Sequence, residues 1–182
     1  MKIIGIDPGS DRTGYGCIET DGRRHRLVVC GAIAPRSCVT FPDKLLFIYR
    51  ELRRLIGAHA PAAVAVENVF HAANARSALK LGHARGVALL AAAEHGVAIA
   101  EYTPAEVKRA IVGYGRAEKH QVGEMVRLLL GLDRVPEPND AADALAIAVC
   151  HVHRQGAALG SNDGPGSGTR APRSWRQYRP AP

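Results

Sequence analysis

Lys2-Ile3-Ile4-Gly5-Ile6-Asp7-Pro8-Gly9 is an apolar, β-branched run closed by an acid and a Pro-Gly pair. It reads as a buried strand followed by a turn. Gly14 to Thr20 and Arg26 to Ala34 read as two further strands, joined by the hairpin signal Asp21-Gly22. The period then switches. Leu45, Leu46, Ile48, Tyr49, Leu52, Leu55 and Ile56 recur at helical spacing, with Gly57 interrupting the stretch and Pro61 ending it. Ala63 to Glu67 is nearly all apolar, as expected of a central strand covered on both faces. A long Ala- and Leu-rich helix over Ala75 to His95, capped by Gly96, leads to a strand over Val97 to Tyr102. Three helices follow: Pro104 to Ile111, Glu118 to Leu130, and Asp140 to about His153. An antiparallel meander feeding a βαβ portion predicts an α/β fold, a mixed five-stranded sheet flanked by helices in a single domain.

The 182 residues suffice for one domain with an appendage. From Gln155 the composition turns to Gly, Pro and Arg, so residues 1–154 are expected to form the domain and 155–182 a disordered basic tail. That tail is either a weak nucleic-acid tether or a solvated terminus. The longest apolar runs, Val87 to Ala93 and Ala144 to Cys150, are far below the ~20 residues of a membrane span. No apolar leader precedes Asp7, so a cytoplasmic protein is expected. Cys17, Cys30, Cys38 and Cys150 form no C-x-x-C pair and read as free, mostly buried thiols. The formal charge of +7 favours a polyanionic partner.

Four carboxylates stand where structure alone would not choose them. Asp7 and Glu67 each end a buried strand, and the crevice beyond strand ends is where such sheets bind ligands. Asp140 and Asp143 are three residues apart and share one helical face. Asn139 as an N-cap and the helix dipole account for Asp140, but Asp143 lies a turn in, among alanines and aliphatics. A divalent cation removes that objection. An all-oxygen set suits Mg²⁺ or Mn²⁺ rather than zinc, and two such ions support in-line phosphoryl displacement. Lys108 and Lys119 flank Gly113-Tyr114-Gly115-Arg116, placing positive charge near the acids. Phe70, three residues past Glu67, either stacks on a base at a substrate junction or plugs the core under its loop. His151 and His153 point different ways on a helix and are not read as a metal pair.

Several blocks resemble the bacterial RuvC Holliday-junction resolvases: Gly5 to Ser10, Thr13 to Gly16, Glu67 to Phe70, Ser77 to Gly82, Ala84 to Val87, Ala117 to Lys119 with Gln121-Val122, and Asp140 to Ala146. They stand in the family's order across residues 1 to about 154. The resemblance implies an RNase H-like fold, a homodimer built on the Ala75 to His95 helix, and paired Mg²⁺-dependent nicks in a four-way DNA junction. It implies cooperation with the RuvA and RuvB branch-migration proteins. The family's catalytic acids and metal ligands fall on Asp7, Glu67, Asp140 and Asp143, its junction aromatic on Phe70, and its basic contacts on Lys108 and Lys119. Arg76 and Arg116 complete the expected DNA contacts. The expected cofactor is Mg²⁺, two ions per site, with Mn²⁺ able to substitute. Three rivals remain open at this point: an actin-like ATPase, a non-catalytic junction scaffold, and an RNase H-like nuclease acting on RNA.

Overall fold

The computed structural model describes residues 1–68 and 74–159. Five strands, β1 (Lys2–Asp7), β2 (Thr13–Thr20), β3 (His25–Ile33), β4 (Ala63–Glu67) and β5 (Ala98–Tyr102), form one sheet in the order β3-β2-β1-β4-β5. β2 runs antiparallel to both β1 and β3, while β1, β4 and β5 run parallel. The helices are α1 (Phe41–His59), α2 (Ala75–Glu94), α3 (Pro104–Val112), α4 (Lys119–Leu129) and α5 (Asn139–Leu159).

The strand alternation decides which helices cover which face. Ile4, Ile6, Val64 and Val66 point to one side and are buried against Ile48, Leu52 and Ile56 of α1 and Ala88, Ala91 and Ala92 of α2. Ile3, Ala63 and Ala65 point to the other, where Leu145 and Val149 of α5 meet Val107 of α3 and Val126 of α4. Asp7 and Glu67 have the parity of Ile3 and Ala65, and they lie one step past the paired Ile6 and Val66 of two adjacent strands. Both acids therefore emerge side by side on the α5 side of the sheet.

The seat of α5 is unusually close. A β-carbon on Gly5 would run into the carbonyl oxygen of Ala144 and lie 2.7 Å from the nitrogen of Ala148. One on Gly14 would strike the carbonyl of Asp140, and one on Gly16 would lie 2.6 Å from the Leu145 side chain. Three strand glycines thus let a helix backbone rest directly on β1 and β2.

Local signals start most helices. Thr40 and Asp43 form a capping box for α1, and Thr103 and Glu106 do so for α3, each with a proline in the first turn. Asn74 caps α2 by accepting from the Ser77 N–H at 2.9 Å. Three boundaries differ from the sequence reading. Gly57 stays inside α1, its open side facing His95, because the buried Ile48, Leu52, Leu55 and Ile56 before it hold the helix on the sheet and the left-handed cap at Ala60 closes the turn beyond it. Asn139 is the first residue of α5 rather than its cap. That helix also runs on through Leu159, since Gln155, Ala157, Ala158 and Leu159 favour helix and no proline intervenes. The tail expected from residue 155 thus begins within α5, and residues 160–182 lie outside the described ones. All four cysteines are free; Cys17 and Cys150 are buried, Cys30 and Cys38 only half-buried. Among the described residues no helix is long and apolar enough to cross a membrane.

A Gly5→Ala substitution is expected to cost about 3 kcal/mol or more, the upper end for overpacking, because backbone rather than a movable side chain opposes it. Urea unfolding at equilibrium measures this. An unchanged midpoint would mean that α5 shifts freely on the sheet.

Candidate active site

The carboxyl end of β1 and β4 opens into a cleft of about 300 Å³ lined by Asp7, Glu67, Lys108, Lys119 and Asp143, with Pro104, Val107, Val122 and Ala146 as apolar walls. Strand ends supply the first two acids, and α5, fixed by its glycine seat, supplies the third. The capping box of α3 orients Lys108, one turn in. Gly113, at φ 95, ends that helix in a left-handed turn and leads toward α4, whose first residue is Lys119.

The carboxyls of Asp7 and Glu67 end adjacent paired strands, and each shifts the other. Burial first, then the charges of Glu67, Asp143 and Asp140, push the Asp7 carboxyl up to about 8. Burial also raises Glu67, against the lowering effects of the Asp7 hydrogen bond and of Lys119 and Lys108. Lys119 donates to Asp143 Oδ2 at 2.9 Å, which holds its ammonium above the ordinary lysine range. Asp140 sits beside the cleft rather than in its lining, and receives Arg12 Nη1 on Oδ2 at 3.3 Å.

These acids converge without closing into a ligand cage: among the described residues no group of three His, Cys, Asp or Glu stands in metal-holding arrangement. The donor set nonetheless fits a hard divalent cation. It is all carboxylate oxygen, and burial, with the charges of neighbouring acids added, raises the Asp7 carboxyl to about 8. A bound cation relieves that repulsion where Lys119 and Arg12 now relieve only the outer pair.

The structure thus draws Asp7, Glu67, Asp143, Lys108 and Lys119 into one cleft and leaves Asp140 at its rim. Arg76, in the first turn of α2, and Arg116, between α3 and α4, are exposed and do not line it. Phe70 lies outside the described residues. Two features went unread in the sequence. Arg12 follows a turn whose closure by Thr13 depends on tertiary placement, and the strand glycines signal close backbone approach without naming the partner.

A mixed sheet of this order, with acids at the ends of β1 and β4 and on the helix laid across them, defines an RNase H-like nuclease. Residues 3–151 match the family described as crossover junction endodeoxyribonuclease RuvC. The chain belongs to the RuvC family. It is 54% identical over 154 residues to the crossover junction endodeoxyribonuclease RuvC of Koribacter versatilis, covering 84% of this chain and 93% of that one. It is 46% identical over 180 residues to that of Trichlorobacter lovleyi, covering 99% of this chain and 100% of the other. Among solved structures, Thermus thermophilus RuvC in complex with Holliday junction substrate superposes with a TM-score of 0.79 at 33% identity, covering 88% of this chain and 98% of that one.

The raised Asp7 has a measurable consequence for stability without metal. Its folded pKa of about 8 exceeds the ordinary 3.8, so the ionised form opposes folding increasingly as pH rises from about 4 toward 8. Asp7→Asn in EDTA is therefore expected to stabilise the protein at pH 7.5 by about 1–3 kcal/mol, below the full linkage value because the cleft admits solvent. The gain should fade near pH 4. Denaturant unfolding at both pH values tests this, and an equal gain at both would assign it to something other than charge.

Proposed function

We propose that this chain is a crossover junction endodeoxyribonuclease that cuts four-way DNA junctions by metal-dependent phosphodiester hydrolysis. The observation carrying this is the meeting of acids from β1, β4 and α5, far apart in the chain, in one cleft edged by two lysines. Family membership supports divalent-metal dependence. Mg²⁺ is the assigned ion, two per site, with Mn²⁺ able to replace it; Asp7, Glu67, Asp140 and Asp143 would hold them. Bound divalent ions make a water nucleophilic at neutral pH and offset charge on the leaving oxygen.

The chain's own residues do the rest. Asp7 and Glu67, fixed by adjacent parallel strands, set the distance between ligand oxygens, and Asp143 faces them from a helix that cannot slide. Lys108 and Lys119 draw a phosphate into the cleft and balance its charge. The apolar walls restrict water around the reacting group. Products are a 5′-phosphate and a 3′-hydroxyl.

Pairing of cuts follows from a homodimer. Leu45, Leu79, Val87 and Leu90 line an apolar groove between α1 and α2, and Leu79 and Leu90 are 65% and 59% exposed. An isologous contact there buries this surface and relates two clefts by a two-fold axis, matching the near symmetry of a four-way junction. Phe70, Arg76 and Arg116 are assigned to junction contact, Arg76 and Arg116 from outside the cleft lining. RuvA and RuvB are the assigned branch-migration partners, and the cytoplasm, where bacterial DNA lies, is the site of action.

Asp7→Asn is expected to lower cleavage of a labelled mobile junction by at least about 10³-fold in Mg²⁺ while junction affinity stays within about 3-fold. Linear duplex of the same sequence should remain uncut by the unmodified chain. Cutting by Asp7→Asn at the normal rate would overturn the assigned mechanism. Phe70→Ala is expected to reduce junction cutting more than junction binding. Equal losses in gel-shift and cleavage assays would make Phe70 an affinity or core residue.

A further inference from the structure

The two acids on the α5 face are each held by a cation, but the two cations are placed differently. Lys119 pairs with Asp143 and lines the cleft itself, so it can meet a substrate phosphate from where it stands. Arg12 does not line the cleft. It reaches Asp140 from the β1–β2 turn, and Asp140, the member of the acid set that lies outside the lining, is turned toward it.

The backbone under Arg12 is firmly set. Thr13 is fully buried, and its hydroxyl donates to the Gly9 carbonyl at 2.7 Å while accepting the Gly9 N–H at 3.3 Å. Gly9 has no room for a β-carbon, because the Arg12 carbonyl occupies that space. Next to it, Asp11 is held by Lys44 at 2.5 Å. The Arg12 side chain itself is 43% exposed, and its 3.3 Å contact with Asp140 is a single, long hydrogen bond rather than a bidentate fork. The device is thus a fixed pivot carrying a loosely held, half-solvated guanidinium, with a ligand carboxylate as its present partner.

We infer that Arg12 is a positioning residue that exchanges partners: it holds Asp140 aside until a divalent cation takes that carboxylate, and the released guanidinium then grips a phosphate of the DNA. The inference rests on the reading of Asp140 as a metal ligand. Two consequences follow from charge alone. Before DNA binds, the guanidinium competes with the metal for Asp140, and a fixed positive charge a few ångströms from a divalent site weakens it. Once the metal is in place, an unpaired arginine at the cleft rim adds a phosphate contact that was not available before, so metal and DNA bind cooperatively.

The test uses the full chain and needs no turnover. Mn²⁺ binding is followed by the electron paramagnetic resonance signal of the free ion. Junction binding is followed by fluorescence anisotropy in EDTA and in Ca²⁺. Arg12→Gln is expected to bind Mn²⁺ about 3- to 10-fold more tightly than the unmodified chain, with Arg12→Lys restoring most of the difference. The gain in junction affinity between EDTA and Ca²⁺ should shrink in Arg12→Gln. Mn²⁺ binding that is unchanged or weaker in Arg12→Gln overturns the competition, and a full Ca²⁺-dependent gain in that variant overturns the phosphate contact. Asp140→Asn separates this from the underlying reading: weaker Mn²⁺ binding upholds Asp140 as a ligand, whereas unchanged binding removes it and the exchange together. Melting curves in EDTA identify any variant whose fold is altered, and Arg12→Gln, changed at a half-exposed side chain, should melt with the unmodified chain.

Discussion

The contact between the backbone of α5 and the glycines of β1 and β2 is the constraint on which the site depends. A helix ordinarily rides on a sheet at the distance set by side chains on both sides. Here Gly5, Gly14 and Gly16 remove one of those layers, and Asp140, Ala144 and Leu145 come down onto strand backbone. Lateral and rotational freedom of the helix is lost, because any slip drives carbonyl groups into the sheet. The carboxylate of Asp143 is thereby fixed against those of Asp7 and Glu67, which strand pairing has already fixed against each other. The raised Asp7 records the cost, first of burying that carboxyl and then of holding other acids beside it.

The same rigidity explains how the cations are distributed. Anions that cannot move apart gather counter-charges from whatever elements are near. Lys119 opens α4, Lys108 sits one turn into α3, and Arg12 follows β1. Each comes from a different segment, and each has a different access to the cleft. Lys119 and Lys108 are already where a phosphate would lie. Arg12 stands outside the cleft lining, against Asp140.

The opposite face of the sheet answers to other demands. There α1 and α2 cover β1 and β4 with Ile48, Leu52, Ile56 and small alanines, a conventional apolar layer. What remains outside, between α1 and α2, is apolar as well, with Leu79 and Leu90 largely exposed. One face thus carries the converging acids, and the other presents an apolar surface.

The elements of this protein were legible in its sequence because they rest on local chemistry. Alternation and β-branching placed the five strands, helical spacing with Gly and Pro breaks placed the helices, and the acids at strand ends and at i, i+3 stood out because burial makes such charges costly. Where the reading slipped, the causes differed: Gly57 stays helical at the end of an α1 held on the sheet, while α5 runs past residue 154 because its last residues favour helix and no proline stops it. No local rule could say that Asp140 would turn to Arg12 while Asp143 turned to Lys119, since those partners lie 128 and 24 residues away and meet only when the sheet and helices have closed. Propensity and pattern act over a few residues, and so the sequence by itself determined which segments form and which side chains carry the charge. The distances between those charges, and with them the raised Asp7 and the rim position of Asp140, belong to the tertiary structure, because they arise from where a helix can rest on three glycines.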